Sequence, residues 1–182
     1  MNKRPRIKIP LTALDYILEI VAVLSIVGII ILTVIYWINA PEIVPAHYNL
    51  AGEVTRYGSK MESIAVFIIL AFTNIFTYAL ITILNKSPHI FNFPVNVTEE
   101  NAFFLYKTTT RMVRWLKLLC CLLITYIVWG IVKADLTEQK FGLDIIFLLL
   151  TASTIVYPIF MIVRIIKYDK KQKKCNNDKR YN

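Results

Sequence analysis

Four long stretches of this chain contain no charged residue, and most of the polar side chains lie between them. The uncharged runs cover residues 20–41, 63–85, 118–132 and 145–163. A bilayer core of roughly 30 Å requires about 20 apolar residues in a helix. Three runs meet this length directly. The third reaches it if the basic side chains that precede it extend their head groups to the membrane surface. The pattern predicts four transmembrane helices, with an interfacial helix as the alternative for the third run.

The fold class follows from what a bilayer permits. Backbone groups in hydrocarbon must form hydrogen bonds within their own segment, and these runs are too long and too uniformly apolar for barrel strands. We therefore predict an all-α integral membrane protein, a four-transmembrane-helix bundle with an ordered extracytoplasmic loop between helices 1 and 2. The composition agrees with this class. The chain is 57% hydrophobic with a mean hydropathy of +0.55, whereas soluble domains are about 45–50% apolar.

The chain divides into four segments by composition. Residues 1–13 form a basic lead, 14–85 hold helix 1, an outer loop at 41–61 and helix 2, 86–166 hold helices 3 and 4 with a connecting segment, and 167–182 form a basic tail. The tail is polar and rich in charge, so we expect it to be disordered.

Basic residues are distributed unevenly among the segments outside the apolar runs. All but four of the 21 lysines and arginines lie before helix 1, between helices 2 and 3, or after helix 4. Because loops on the inner side of a membrane are enriched in Lys and Arg, this bias predicts that both termini are cytoplasmic and that residues 41–61 face outward. The net charge of +9 flanks the apolar runs. We therefore expect it to orient the chain and attract lipid headgroups rather than bind nucleic acid.

Charges of opposite sign are predicted to lie at the same depth on the cytoplasmic side. Asp15 and Glu19 share a face at the start of helix 1, and Lys107, Arg111 and Arg114 form a basic stripe leading into helix 3. Two interpretations stay open. The stripe extends to lipid phosphates, or it pairs with Asp15 and Glu19, which would lower the cost of charge at the membrane edge.

The outer loop is the main candidate for a functional site. It concentrates residues with special backbone or polar properties, namely Pro45, His47, Asn49, Gly52, Glu53, Gly58 and Lys60. Proline stiffens the chain, and the two glycines suit turns with positive φ. On an extended segment His47 and Asn49 would point the same way, and Gly52 and Glu53 would then turn the chain back.

The chemistry available in this loop is limited. A zinc site needs three or four ligands, and the second histidine, His89, is predicted to lie on the opposite side of the membrane. A single His47–Glu53 pair would perform acid–base chemistry only within hydrogen-bonding distance. We predict no enzyme activity, no metal and no cofactor. Two interpretations of the loop remain. It packs on the bundle as a structural lid, or it is a docking surface that uses Tyr48 and Tyr57.

The loop motif also resembles a known family. Pro45, His47, Asn49, Gly52 and Glu53, followed by Gly58-Ser-Lys60, resemble the signature of the bacterial membrane family called domain of unknown function 1648, with the flanking helices included over residues 18–85. Its best-known relatives are SdpI-like immunity proteins, which protect a bacterium from a secreted toxic peptide. The resemblance implies a non-enzymatic protein of the bacterial cytoplasmic (inner) membrane whose outer loop meets a peptide. Those relatives carry a second multi-span module, where this chain has two further spans and a basic tail.

The functional prediction is a multi-pass membrane protein that binds, or protects against, a secreted peptide through its outer loop. The alternative is a small transporter or an accessory subunit of a membrane complex. A transporter should carry polar residues in mid-span, and only a few are present: Ser25, Thr33, Asn74, Thr77, Thr125 and Ser153. The partners predicted are the lipid bilayer and a peptide or envelope protein, with homo-oligomers left open.

Overall fold

Four long helices account for most of the chain, and a small β-hairpin connects the first two. The computed structural model describes residues 4–49, 51–137 and 144–181, with side chains to residue 175. The elements in chain order are α1 (Ala13–Asn39), β1 (Ile43–Tyr48), β2 (Val54–Ser59), α2 (Lys60–Leu84), a 3-10 turn (Pro88–Ile90), α3 (Glu99–Thr137) and α4 (Ile145–Tyr181).

Local sequence accounts for the ends of these elements. At the start of α1 the Thr12 amide donates to Asp15 Oδ2 at 2.8 Å, which satisfies a donor that has no partner inside the helix. Helix α1 ends at Asn39, just before Ala40 and Pro41, because a residue that precedes proline avoids the helical region. Ser59 ends β2 and caps α2, since its hydroxyl accepts from the Met61 amide at 3.1 Å.

Helix α3 is the centre of the bundle and packs against each of the other three long helices. Two apolar clusters lie along its interface with α1 and α2. One, near the hairpin, contains Ile29, Phe67 and Val128. The second contains Leu18, Ala22 and Cys121. A third cluster packs α4 and the connecting segment against the amino-terminal part of α3. We call the two ends of the bundle the hairpin end and the charged end, the latter containing Asp15 and Glu19.

The outer surface of the bundle is apolar. Large hydrophobic side chains are exposed along the lengths of α1, α2 and α4, including Ile38, Phe72 and Leu149. All four long helices have the length and hydropathy of membrane spans. The prediction of an all-α, four-helix, multi-pass membrane protein is confirmed, and the third run is part of a full-length helix rather than a short interfacial one.

The structure adds detail in one place and differs from the sequence-based expectation in another. The segment 41–61, predicted as an ordered loop, holds a two-stranded antiparallel sheet. The basic tail, expected to be disordered, continues α4 as helix to Tyr181. Lysine and glutamine are good helix formers, and the Lys173–Asp169 ion pair, 2.7 Å long at i, i+4, supports the helix. Composition alone did not predict this helix, because it does not include the helix propensity of single residues or ion pairs between successive turns.

Candidate functional site

The hairpin is held by strand pairing and by an organised turn. Strands β1 and β2 pair from Ile43 with Ser59 to Tyr48 with Val54, with irregular register on both sides of His47. Pro45 pairs with Tyr57. A two-stranded sheet consists only of edge strands, so proline's missing N–H is tolerated there.

Asn49 organises the turn between the strands. Its side-chain Oδ1 accepts from the backbone amides of Ala51 and Glu53, each at 2.9 Å. Its Nδ2 donates to Glu53 Oε2 at 3.1 Å. This is the pattern by which asparagine replaces a backbone turn. Asn49 and Glu53 therefore hold the chain reversal together.

The two glycines of the motif have different roles. Gly52 has φ = 76°, the left-handed conformation that glycine adopts without strain, as predicted. Gly58 was also predicted to have positive φ, and that prediction was wrong, because only Gly52 does so among the glycines of the described ranges. Gly58 is instead required for space. A Cβ there would lie 2.9 Å from Ala46 Cβ and 2.7 Å from Glu62 Oε1.

His47 and Lys60 lie at different parts of the hairpin. His47 is exposed, and its Nδ1 lies 2.6 Å from Thr55 Oγ1 on the opposite strand. The structure does not bring it into a hydrogen bond with Glu53. Lys60 closes the base of the hairpin, since its Nζ lies 2.8 Å from Glu42 Oε1 and its amide donates to the Glu42 carbonyl at 3.0 Å.

A buried tyrosine–aspartate group joins the hairpin to the bundle. The carboxylate of Asp135, near the end of α3, accepts a 2.6 Å hydrogen bond from the Tyr36 hydroxyl and a second from the Tyr48 hydroxyl. Tyr36 is fully buried and Asp135 is 8% exposed. Burial first, and then the Asp135 carboxylate, raise the pKa of the Tyr48 phenol, so this phenol keeps its proton and donates.

This group was not predicted from the sequence, where the uncharged run that indicated the third span ends at residue 132. Helix α3 continues to Thr137, so Asp135 lies on its last turns. One signal was available. Asp135 lies three residues after the uncharged run that ends at residue 132. A carboxylate so close to a membrane span costs free energy unless hydrogen-bond donors lie near it. Its partners, on α1 and β1, are distant in sequence.

A cleft opens between the hairpin and the end of α3. It encloses about 590 Å³ and is lined by apolar side chains such as Ile43, Pro45 and Tyr57, and by the carboxylates of Glu53 and Asp135. Ile43 is 70% exposed and Tyr57 is 63% exposed. Among the described residues that line this cleft, none is basic. Its surface therefore combines exposed apolar side chains with negative charge.

The charged end holds an ion-pair network between α1 and α3. Asp15 Oδ2 lies 3.3 Å from Arg111, and Asp15 Oδ1 lies 3.2 Å from Arg114. Glu19 Oε1 lies 3.3 Å from Arg114, and its Oε2 lies 2.6 Å from Lys117. Of the two interpretations of the stripe, the structure supports pairing with the acids for Arg111 and Arg114. Lys107 is different, because its Nζ lies 5.7 Å from the centre of the Phe103 ring.

Lys117 also belongs to this network, although the basic stripe predicted from the sequence did not include it. It is fully buried. Besides Glu19, its ammonium contacts Thr82 Oγ1 at 2.9 Å and the face of Tyr78 at 4.2 Å. Two carboxylates thus face three cations. The shared face of Asp15 and Glu19 was visible in the sequence, and continuing the basic stripe by one helical turn would have included Lys117.

Three of the mid-span polar residues meet inside the bundle. Ser25 Oγ lies 2.8 Å from Thr125 Oγ1, and Asn74 Nδ2 donates to the Cys121 carbonyl at 3.4 Å. Asn74 is fully buried, and its Oδ1 has no hydrogen-bond partner within the described chain. Toward the hairpin, the next buried side chains on the three helices are apolar: Ile29, Phe67 and Val128. An apolar layer therefore separates this polar cluster from the hairpin end.

Comparison with known proteins finds one family match, which covers part of the chain. The chain matches no curated protein and no solved structure. One family matches residues 24–72, a region that contains most of α1, the whole hairpin and the first half of α2. That family is described as Domain of unknown function (DUF1648). The resemblance read from the loop motif is thereby confirmed, and this part of the multi-pass membrane protein is a DUF1648 domain.

Proposed function

We propose that the hairpin end of this protein recognises a peptide or an envelope component, in a bacterial inner membrane with the hairpin on the outer face. The observation that carries the proposal is the cleft between the hairpin and α3, where Ile43 and Tyr57 are exposed beside the Glu53 and Asp135 carboxylates. Aromatic and aliphatic side chains that remain exposed on a rigid element are typical contact residues.

The charge around the cleft favours a cationic, partly apolar partner. The two cations of the hairpin and its base are already paired, since Arg56 contacts Glu62 at 2.9 Å and Lys60 contacts Glu42. Within the described ranges the cleft lining includes two carboxylates and no basic residue. A peptide with lysine or arginine beside apolar side chains would complement it. The loop motif resembles a family whose best-known relatives are immunity proteins, and on that ground we propose a secreted peptide as such a partner.

The hairpin is suited to this role because it is held in place before any partner arrives. Asn49 fixes the turn, Lys60 closes the base, and Tyr48 ties β1 to Asp135. A surface that is already ordered loses little conformational freedom on binding. In this proposal Asn49, Glu53 and Lys60 organise the hairpin, while Ile43 and Tyr57 make contacts. The role proposed is non-enzymatic, and it fits the contact of His47 Nδ1 with Thr55 Oγ1.

Transport is the second candidate, and the mid-span cluster of Ser25, Asn74 and Thr125 favours it. Polar groups at mid-membrane commonly mark a substrate or ion pathway. The apolar layer of Ile29, Phe67 and Val128 separates the cluster from the hairpin cleft, and a pathway would have to cross it. We therefore place recognition ahead of transport.

The orientation is tested first, using the native Cys175. Intact cells carrying Thr55→Cys in a Cys175→Ser background are treated with a membrane-impermeant maleimide, beside cells whose protein keeps Cys175; Cys120 and Cys121 are replaced by serine in both. We expect labelling at position 55 in intact cells, and labelling of Cys175 only after permeabilisation. Labelling of Cys175 in intact cells, with none at position 55, would contradict an outward hairpin.

Recognition is tested by crosslinking and by survival. A photo-crosslinking residue replaces Tyr57, and in a control strain it replaces Tyr16, which is similarly exposed at the charged end. Cells are challenged with secreted cationic peptides from neighbouring strains. We expect a peptide adduct at position 57 only, and loss of protection in Ile43→Ser/Tyr57→Ser cells at matched membrane levels. Equal survival of all strains, with no adduct at position 57, would overturn the proposal.

A further inference from the structure

A second cleft lies at the charged end, beside the ion-pair network. It encloses about 540 Å³ between the segment that precedes α1, the end of α2 and the face of α3 that carries Arg114. The cleft lies beside the start of α1 at Ala13 and the end of α2 at Leu84, which are the ends of two candidate membrane spans. We therefore expect it at the depth where lipid headgroups meet the hydrocarbon.

The cleft has one apolar wall and one cationic rim. Ile9 and Leu11 line it from the segment before α1, and Leu11 is 42% exposed. Lys8 lines it from the segment before α1, and Lys86 lines it from the segment after α2. Both lysines are exposed, and neither ammonium group forms an ion pair or hydrogen bond with another of the described residues. Two free ammonium groups above an apolar wall match a phosphate above acyl chains.

The acid in this cleft is already neutralised. Glu19 lines the cleft, but its two carboxylate oxygens contact Arg114 and Lys117. The network as a whole carries one more positive than negative charge, because Asp15 and Glu19 face three cations. An anion entering between Lys8 and Lys86 therefore meets a positive surface.

A buried polar group in the cleft wall also lacks a partner. Asn85 lines the cleft and is 9% exposed. Its Nδ2 donates to the Thr110 carbonyl at 3.3 Å, whereas its Oδ1 has no hydrogen-bond partner in the described residues. Unpaired buried acceptors are uncommon, and this one lies in the wall nearest Lys86.

From these observations we propose that the cleft binds the phosphate-bearing headgroup of an anionic phospholipid, with Lys8 and Lys86 holding the phosphate and Ile9 and Leu11 contacting the acyl chains. This is a specific lipid site, distinct from the general contact of the helices with the bilayer. It does not depend on peptide recognition at the hairpin end.

The test measures lipid binding to purified protein by native mass spectrometry in a neutral detergent. Phosphatidylglycerol is compared with phosphatidylcholine for the wild type and for Lys8→Gln/Lys86→Gln. The control is Lys167→Gln/Lys170→Gln, which removes two exposed lysines of α4 that lie outside the cleft. Lys8 and Lys86 are exposed, so the variant should fold, and its Tm is measured beside the wild type.

We expect the wild type to prefer phosphatidylglycerol, and the Lys8/Lys86 variant to lose about ten-fold or more of that preference, since each lysine near a headgroup contributes about five-fold. The control pair should keep it. No preference in the wild type, or an equal loss in the control pair, would overturn the proposal. In a final experiment, inorganic phosphate is added at millimolar concentration to the protein with bound phosphatidylglycerol. Displacement of phosphatidylglycerol by phosphate alone would identify a free-phosphate site and reject the lipid.

Discussion

Tyr48 of the hairpin donates a hydrogen bond to Asp135 of α3, and Tyr36 of α1 donates to the same carboxylate. One acid thus joins three elements that are far apart in the sequence. The hairpin is therefore attached to the bundle by a polar contact in addition to its two covalent connections.

Replacing Asp135 by alanine should destabilise the hairpin end. The two tyrosine hydroxyls would lose a charged acceptor, and Tyr36 is fully buried, so we expect a loss of about 2–4 kcal/mol. The measurement is thermal unfolding in detergent, together with the rate of proteolysis within residues 41–61. Tyr57→Phe is the control, since Tyr57 is exposed. Similar stability for Asp135→Ala and Tyr57→Phe would show that the contact contributes little.

Gly58→Ala should destabilise the hairpin although φ at this position is not positive. The added Cβ would lie 2.9 Å from Ala46 Cβ, and Ala46 cannot move without shifting its strand. We expect a cost of about 1–3 kcal/mol, typical of overpacking. Gly28→Ala is the matched control, because its Cβ would lie at an ordinary 3.5 Å from Thr125 Cγ2. The two variants are compared by Tm, and equal values would contradict the steric explanation.

The ion pairs at the charged end predict a specific pattern of charge reversal. Arg111→Asp should lower the yield of folded protein because it places a third acid beside Asp15 and Glu19, and Asp15→Arg in the same chain should restore part of it. Breaking a buried pair costs about 3–5 kcal/mol. Lys107→Asp is the control, since Lys107 contacts Phe103 instead.

Asp15→Arg should therefore not rescue Lys107→Asp. Folded yield is measured by size-exclusion chromatography after detergent extraction. If Asp15→Arg restored the folded yield of neither Arg111→Asp nor Lys107→Asp, or restored both equally, the result would contradict the ion pair between Asp15 and Arg111.

The start of α4 should respond to acid. Asp144 accepts from the Tyr126 hydroxyl and, at 2.9 Å, from the Phe147 amide, and these two hydrogen bonds lower its pKa, the first more strongly. A lowered pKa means that the stabilisation is present above the ordinary carboxyl pKa of about 4 and is lost as pH falls through the lower folded-state value. Hydrogen exchange at the Phe147 amide should therefore gain an acid-dependent component below about pH 4.

That component should be absent in Asp144→Asn, whose side chain does not titrate. Thr137→Ser serves as the control at the neighbouring end of α3, because it keeps the hydroxyl that donates to the Lys133 carbonyl. An acid response of equal size in Asp144→Asn would assign the effect to another group.

Much of the architecture could be predicted from the sequence. The four spans could be predicted because a helix in lipid needs a long run of apolar residues. Each segment meets this requirement through its own sequence, without contacts to other segments. The turn at Gly52 and the pairing of α1 acids with α3 cations were also accessible, because they depend on local backbone preference and on matching depth in the membrane. The loop motif identified the DUF1648 family because all of its residues lie in a single short segment of the sequence.

The tertiary structure alone decided which distant side chains meet. Asp135 accepts from Tyr36 and Tyr48, Lys117 is buried between Glu19, Thr82 and the Tyr78 ring, and Gly58 is required by Ala46 rather than by its own φ. Both clefts lie between elements from separate parts of the chain. Such contacts depend on how helices rotate and pack against one another, and the hydropathy pattern of a single span is nearly the same for every rotation about its axis.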